Sequence, residues 1–299
     1  MDIKKYLKER KKLIDEYLER YFTDSYRPSR LRESMVYSLL AGGKRIRPIL
    51  CMSAYEIFQP NVKDIVPYAA AIEFIHTYSL IHDDLPAMDN DDLRRGKPTN
   101  HKIYGDGMAI LAGDGLLTEA FYVLSNCKHP CNESVPFSAN TLLRVINDIS
   151  RYAGLYGMVA GQAQDLLSEG AEPDESTLSF IHTHKTSALI TSSVRIGAVL
   201  AKAKEEDILL LTKYGMNIGL AFQIVDDIID ITESTETLGK QRGADERKKK
   251  MTYPSLFGLK QAQKKADELI EIAIKTLESF DKKAEPLRQI ALYLKDRKS

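Results

Sequence analysis

Apolar side chains recur at intervals of three and four residues over most of the chain. In residues 3–22 they fall at Ile3, Tyr6, Leu7, Leu13, Ile14, Tyr17, Leu18 and Tyr21. That spacing predicts an amphipathic helix with a charged outer face. The same periodicity predicts helices over 31–41, 47–58, 64–83, 105–125, 138–152, 155–169, 175–200, 205–232, 252–279 and 284–296. No stretch alternates β-branched residues between turn signals, so strands are not expected. Pro60, Pro130 and Pro136 fall in short breaks between helices, and no fixed-period repeat, low-complexity tract or Pro/Gly/Ser linker occurs. The expected fold is all-α, with residues 1–299 forming a single domain.

Two polar, Gly-bearing segments interrupt the helical pattern, at 84–104 and 233–251. Long loops inside a compact domain usually carry function or move. Each follows an acidic cluster at the end of a long, mostly apolar helix. The first cluster is Asp83, Asp84 and Asp89, with Asp91 and Asp92 behind; the second is Asp226, Asp227 and Asp230. In a regular helix Asp226 and Asp230 share one face and Asp227 lies beside them. Carboxylates crowded together repel unless a cation joins them. Oxygen ligands without His or Cys point to Mg²⁺, which keeps water and substrate phosphates in its remaining positions. A lone acidic triplet is common on solvated helix faces; two of them 143 residues apart, each before a polar loop, are not. Pro86 disfavours helical geometry at Leu85, so Asp83 and Asp89 can meet only if the chain kinks or bulges between them.

Composition narrows the function classes. The 299 residues carry 42 Lys+Arg against 42 Asp+Glu, which excludes the global basic field of a dedicated nucleic-acid binder. The longest run free of Asp, Glu, Lys and Arg is Tyr152–Gln164, 13 residues. A bilayer span needs about 18 or more, so no stable membrane insertion is expected. The N-terminus is charged throughout and lacks the apolar core of a signal peptide. Three cysteines argue against a disulfide framework and leave a cytoplasmic location as the expectation. Cys127, His129 and Cys131 lack a second ligand pair at zinc spacing, and Cys51 lies in an apolar helix as packing.

Phosphate binding needs positive charge. Gly42-Gly43-Lys44-Arg45-Ile46-Arg47-Pro48 places three cations in a Gly-punctuated turn before a helix, and Arg94-Arg95-Gly96-Lys97 follows the first acidic cluster. Helix N-termini and Arg forks both favour phosphate oxygens. Neither a Walker nor a Rossmann glycine loop occurs, which disfavours nucleotide binding.

The stretch from Phe74 to Asp89, continuing to His101, resembles the first aspartate-rich motif of the trans-prenyltransferases, the polyprenyl diphosphate synthase family. The GGKRIRP turn, residues 111–121, His184-Lys185-Thr186, the run from Phe222 to Asp230 and Leu238-Gly239-Lys240 resemble the remaining blocks in the right order. The resemblance covers about residues 36 to 260. It implies an isoprenoid-synthase helical bundle around a central cavity, usually a homodimer. It also implies three Mg²⁺ ions clamping an allylic diphosphate between the two motifs. On this resemblance Asp83, Asp84 and Asp89 lie at the metal from one side and Asp226, Asp227 and Asp230 from the other. Lys44, Arg47, His76 and Arg95 match positions on the diphosphate of isopentenyl diphosphate. Arg94, Lys185 and Lys240 match positions on the allylic diphosphate. Thr186 and Gln223 match polar groups beside the developing cation, and Lys250 a lysine brought in by loop closure.

The chemistry calls for these residue types. Breaking an allylic C–O bond leaves a carbocation and a diphosphate, whose charge cations stabilise in the transition state. Water would quench the cation, so the pocket must be apolar and closed; Phe74, Tyr78, Phe222 and Ile224 are the expected walls. His101, His182 and His184 are read as structural.

Four residues separate Asp84 from Asp89 in DDxxxxD, a spacing that resembles bacterial farnesyl and plant-type geranylgeranyl diphosphate synthases. Tyr78 precedes Asp83 by five residues, about 7.5 Å along a helix, and its ring would floor the cavity after a few isoprene units; Ser79 is too small to do so. The resemblance associates an aromatic at this position, together with DDxxxxD, with a C15 product. Farnesyl diphosphate synthase is therefore the leading expectation. A geranylgeranyl diphosphate synthase or a non-catalytic regulatory subunit is the alternative.

Overall fold

The computed structural model describes residues 1–23, 27–125, 137–172, 174–232 and 250–296. Residues 233–249 of the second polar segment, with Lys240 among them, and the Cys127–Cys131 segment lie outside the described residues.

Helix α1 (Ile3–Tyr21) starts where the Asp2 side chain accepts the N–H of Lys5, and it buries Tyr6, Ile14, Tyr17 and Leu18 from the expected stripe. Helices α2 (Ser29–Leu39) and α3 (Ile46–Glu56) follow, and α4 (Val66–Asp83) comes next. Helix α4 is apolar nearly all round and buried along most of its length, as a helix at the centre of a bundle must be. After a polar segment come α5 (Asn100–Tyr104), α6 (Asp106–Ser125), α7 (Ala139–Ala153), α8 (Met158–Leu167) and α9 (Glu175–Ile181). A π-helical turn, His182–Ser187, joins α9 to α10 (Ala188–Leu200). Then come α11 (Glu205–Thr232), α12 (Tyr253–Phe257), α13 (Leu259–Lys275) and α14 (Glu285–Lys295).

Helix α4 packs on α6 and α3, α10 on α3, α7 and α11, and α11 on α13. Buried apolar side chains from Tyr6 to Leu294 form one continuous cluster. The helices α6 and α11 are long and apolar enough to cross a membrane by length and composition alone. Both are packed into this bundle, so the 13-residue charge-free run was too narrow a test.

Three expectations need correction. The segment 252–279 is two helices, because the chain turns at Gly258 with φ +82°. The 175–200 helix holds the π turn, where one extra residue per turn re-aims the side chains that follow. The segment 84–104 is not all loop: Leu93–Arg94 pairs antiparallel with Lys97–Pro98, and α5 closes it. Arg95 (φ 53°) and Gly96 (φ 74°) supply the two positive φ values of a tight hairpin turn.

Candidate active site

Asp83 is the last residue of α4, and the chain reverses immediately after it. Leu85 N–H bonds back to the His82 carbonyl, Met88 and Asn90 N–H to the Leu85 carbonyl, and Asp89 N–H to the Asp83 carbonyl at 2.8 Å. The kink expected at Pro86 thus brings Asp89 back beside Asp83. Burial, with Asp89 adding and Lys185 opposing, pushes the Asp83 carboxyl up to about 6. Asp84 faces elsewhere. It is buried, and its two oxygens are forked by Arg94, with Nε at 2.8 and 2.9 Å and Nη2 at 2.6 Å.

The two basic segments meet. Arg95 donates to the Gly42 carbonyl, and its guanidinium fills the space a Cβ on Gly43 would need. Gly43 itself has φ +121°, so glycine is required there twice over. Arg45, one of the three cations of the turn expected to serve phosphate, is a clamp instead. It is 3% exposed, adopts a left-handed conformation, and donates to Glu73 at 2.7 Å, Asp15 at 3.0 Å and the Leu39 carbonyl at 2.8 Å. Arg47 reaches His76 at 3.3 Å, and its Nε has no hydrogen-bond partner. Burial, reinforced by Arg47 and Arg95, holds His76 well below the usual imidazole range, so its ring is neutral.

These groups line a cavity of about 600 Å³ bounded by Lys44, Arg47, His76, Arg94, Arg95, Thr186, Phe222, Gln223, Asp226 and Asp230. A second cavity of about 360 Å³ shares Arg47, His76, Leu80 and Thr186 with it. Asp83, Tyr78, Ser79 and Met88 also line it, together with Lys185 and with Met158, Val159, Ala163 and Leu166 of α8. A basic, acid-edged chamber therefore adjoins a largely apolar one. Phe74 and Ile224, expected as walls, are fully buried in the core, and Phe74 packs on Tyr21 and Phe22. They point away from the faces that carry His76, Leu80 and Gln223.

The π turn presents Lys185 and Thr186. Helix α8 passes so close that a Cβ on Gly161 would lie 2.1 Å from the Lys185 nitrogen. Lys185 Nζ bonds Asp165 at 2.6 Å, and Lys250 Nζ bonds Asp89 at 2.8 Å and Asp165 at 3.3 Å. Although burial opposes it, the pair Lys185 and Lys250 holds the Asp165 carboxyl below its usual range. Asp165 was missed in the sequence. Its signal was there: it is the acid that ends the longest uncharged run. Gln162, one turn earlier, was missed too; it lines the smaller cavity with neither amide atom hydrogen-bonded.

The second acidic motif divides into two rows. Asp226 and Asp230 face the larger cavity. Asp227 lines neither cavity; its Oδ1 accepts from Gln223 Nε2 at 2.8 Å, and its Oδ2 from the Tyr253 N–H at 2.9 Å with His182 Nε2 at 3.3 Å. Grouping Asp227 with the cavity carboxylates was wrong in geometry, because it sits about 100° round the helix from Asp226. Among the described residues no three Asp, Glu, His or Cys side chains form a metal cage by themselves.

A helical bundle with adjoining basic and apolar chambers is the architecture of an enzyme that handles an anionic headgroup with an apolar tail. The family model described as polyprenyl synthetase matches residues 28–290, and the chain belongs to that family. It is 48% identical over 291 residues to a dimethylallyltranstransferase of Fischerella ambigua, covering 97% of this chain and 82% of the relative. It is 46% identical over 293 residues to a geranylgeranyl diphosphate synthase of Cyanophora paradoxa, covering 98% and 95%. It is 46% identical over 281 residues to a farnesyl diphosphate synthase of Geobacillus stearothermophilus, covering 94% and 93%. A crystal structure of geranyltransferase from Helicobacter pylori, complexed with magnesium and isoprenyl diphosphate, superposes with a TM-score of 0.86 at 31% identity over 99% of both chains. The chain is thus a prenyltransferase of the short-chain trans-prenyl diphosphate synthase type with the helical isoprenoid-synthase fold.

Proposed function

We propose that this enzyme condenses isopentenyl diphosphate with dimethylallyl and then geranyl diphosphate, and releases farnesyl diphosphate. The observation that carries the C15 reading is that Tyr78 and Asp83 line the same 360 Å³ chamber. A tail entering beside Asp83 meets the Tyr78 ring after a few isoprene units.

Magnesium belongs to this reading, three ions per site. The donor set fits it: every candidate ligand is a carboxylate oxygen, and Asp83 is crowded by Asp89 in a setting that disfavours its charge. Asp83 and Asp89 would hold metal from one wall, and Asp226, with Asp230 beside it, from the other. Bound there, the metal would supply positive charge to the departing diphosphate.

The chain's own residues do the remainder. Arg47, Arg95 and Lys44 take the diphosphate of isopentenyl diphosphate, and the partnerless Nε of Arg47 is a donor left for an oxygen. His76, neutral, orients Arg47 rather than adding charge. Lys185 and Lys250 face the allylic diphosphate from the Asp165 side, and Thr186 and Gln223 turn oxygen atoms toward the cation. The allylic C–O bond breaks and the alkene carbon of isopentenyl diphosphate forms the new C–C bond. A proton is then lost to the released diphosphate. The apolar wall from α8 excludes water meanwhile. A homodimer accompanies the proposal, supported by the exposed Ile110, Leu111 and Tyr122 on α6.

The test is product analysis with labelled isopentenyl diphosphate and dimethylallyl diphosphate, with Mg²⁺ and with EDTA. Farnesol after dephosphorylation, lost with EDTA, is expected. Geranylgeraniol would overturn the C15 reading and keep the reaction. No condensation with dimethylallyl or geranyl diphosphate would favour a regulatory subunit.

A further inference from the structure

Asp227 is in contact with Gln223, Tyr253 and His182 and yet lines neither chamber. It is 2% exposed. Gln223 and Asp227 stand one turn apart on α11, in a row of their own beside the Asp226–Asp230 row. Gln223 Nε2 donates to Asp227, so the amide can point only its Oε1 the other way, where it accepts the Thr186 hydroxyl at 2.5 Å. With that hydrogen engaged, the Thr186 oxygen presents lone pairs to the shared wall of the two chambers. Were the amide reversed, an NH₂ group would point there, and its positive edge would oppose a cation.

We propose that Asp227 is a positioning residue and not a metal ligand: it sets the orientation of the Gln223 amide and, through it, the electronegative face that Thr186 turns to the allylic cation. The second oxygen of Asp227 is held by the first N–H of α12 and by His182 of the π turn. Two separate elements thereby fix the carboxylate that fixes the amide. This inference rests on reading the site as a prenyl-transfer centre.

Asn at position 227 keeps the size but offers one acceptor oxygen, which can serve Gln223 or the Tyr253 N–H and not both. Asp227→Asn is therefore expected to lower kcat about a hundredfold. Substrate KM values and the Mg²⁺ concentration for half-maximal rate should stay within about twofold. Calorimetric binding of inorganic diphosphate in the presence of Mg²⁺ should match the wild type for Asp227→Asn and weaken for Asp226→Asn. Adding Gln223→Met to Asp227→Asn should cost little more than either alone, because both break the same link. A rise in Mg²⁺ requirement parallel to that of Asp226→Asn, or losses that multiply in the double variant, would overturn the proposal. If Asp227→Asn does not fold, His182→Ala carries the test: reduced kcat at an unchanged Mg²⁺ requirement supports it, and unchanged kcat overturns it. Failure of the wild type to make any product would sink the functional reading instead. The calorimetric comparison would still decide whether Asp227 ligates metal.

Discussion

The backbone N–H of Asp89 donates to the carbonyl of Asp83 at 2.8 Å. This one bond closes a turn over Asp84, Leu85, Pro86, Ala87 and Met88, and it stacks two carboxylates that sequence spacing sets six residues apart. Helical geometry would have served a shorter motif, with acids four apart on one face. The longer motif reaches a similar juxtaposition by ending the helix.

Within that turn the adjacent aspartates should separate in function. Asp83→Asn removes a carboxylate of the facing pair and is expected to lower turnover about a thousandfold and raise the Mg²⁺ requirement. Asp84→Asn breaks the Arg94 fork and should cost about 1–3 kcal/mol of stability. Its Mg²⁺ requirement should stay the same while substrate KM rises. Urea unfolding together with Mg²⁺ titration separates the two; matching Mg²⁺ responses would refute the division.

Gly161→Ala tests how tightly α8 holds the π turn. On helix propensity alone, alanine would stabilise by about 1 kcal/mol. The new Cβ, however, would lie 2.1 Å from the Lys185 nitrogen and 2.6 Å from its Cα. Backbone cannot swing aside, so a loss of about 1–3 kcal/mol is expected. Displacement of Lys185 and Thr186 should cut turnover as well. The sign of the change in urea midpoint decides between propensity and packing.

How far the sequence was legible follows from the same residues. The periodicity of α1, α7 and α11 gave those helices to within a residue or two, because each has a distinct apolar pattern. The break at Gly258 and the π turn at 182–187 were hidden, since both keep the chain helical and depend on what packs against it. Placing Asp83, Asp226, Lys185 and Arg95 around common cavities needed only motif order. Local spacing gave no sign that Arg45 is a buried clamp on Glu73. Nor did it show Asp227 turned to His182, a contact 45 residues away in sequence. Those depend on which side of each element meets its neighbour.

His76 supplies a pH prediction. Arg47 Nη1 lies 3.3 Å from His76 Nε2, so this nitrogen accepts and the proton resides on Nδ1. Burial and the surrounding arginines depress the folded pKa well below 6.5. Below 6.5 the unfolded chain binds a proton that the folded chain refuses. The stability that neutral His76 contributes is therefore complete above about pH 6.5 and declines as pH falls toward the folded pKa. His76→Gln should flatten that slope in urea unfolding followed through this range. Nitrogen chemical shifts showing a protonated His76 at pH 6 would contradict the assignment.

Chain length is the property most directly open to redesign. The Tyr78 ring is 7% exposed and rests edge-on against His82 with centroids 5.8 Å apart, so it is held in place rather than free to swing. It shares its chamber with Met88 and with Met158, Val159, Ala163 and Leu166 from the facing helix. Tyr78→Ala removes the ring from the end away from Asp83 and leaves the diphosphate groups untouched. The product is expected to move from C15 to C20 and longer, with kcat for the first condensation within about tenfold of wild type. Ser79, next to it, also lines the chamber, and its hydroxyl bonds back to the His76 carbonyl at 2.9 Å. A bulky side chain there would extend into the same space, so Ser79→Phe should shorten the product toward C10. Chromatography of the dephosphorylated alcohols reads both outcomes. Opposite shifts from the two substitutions would locate the tail between α4 and α8. An unchanged profile in Tyr78→Ala would mean that the ring packs a helix interface and that the floor lies deeper.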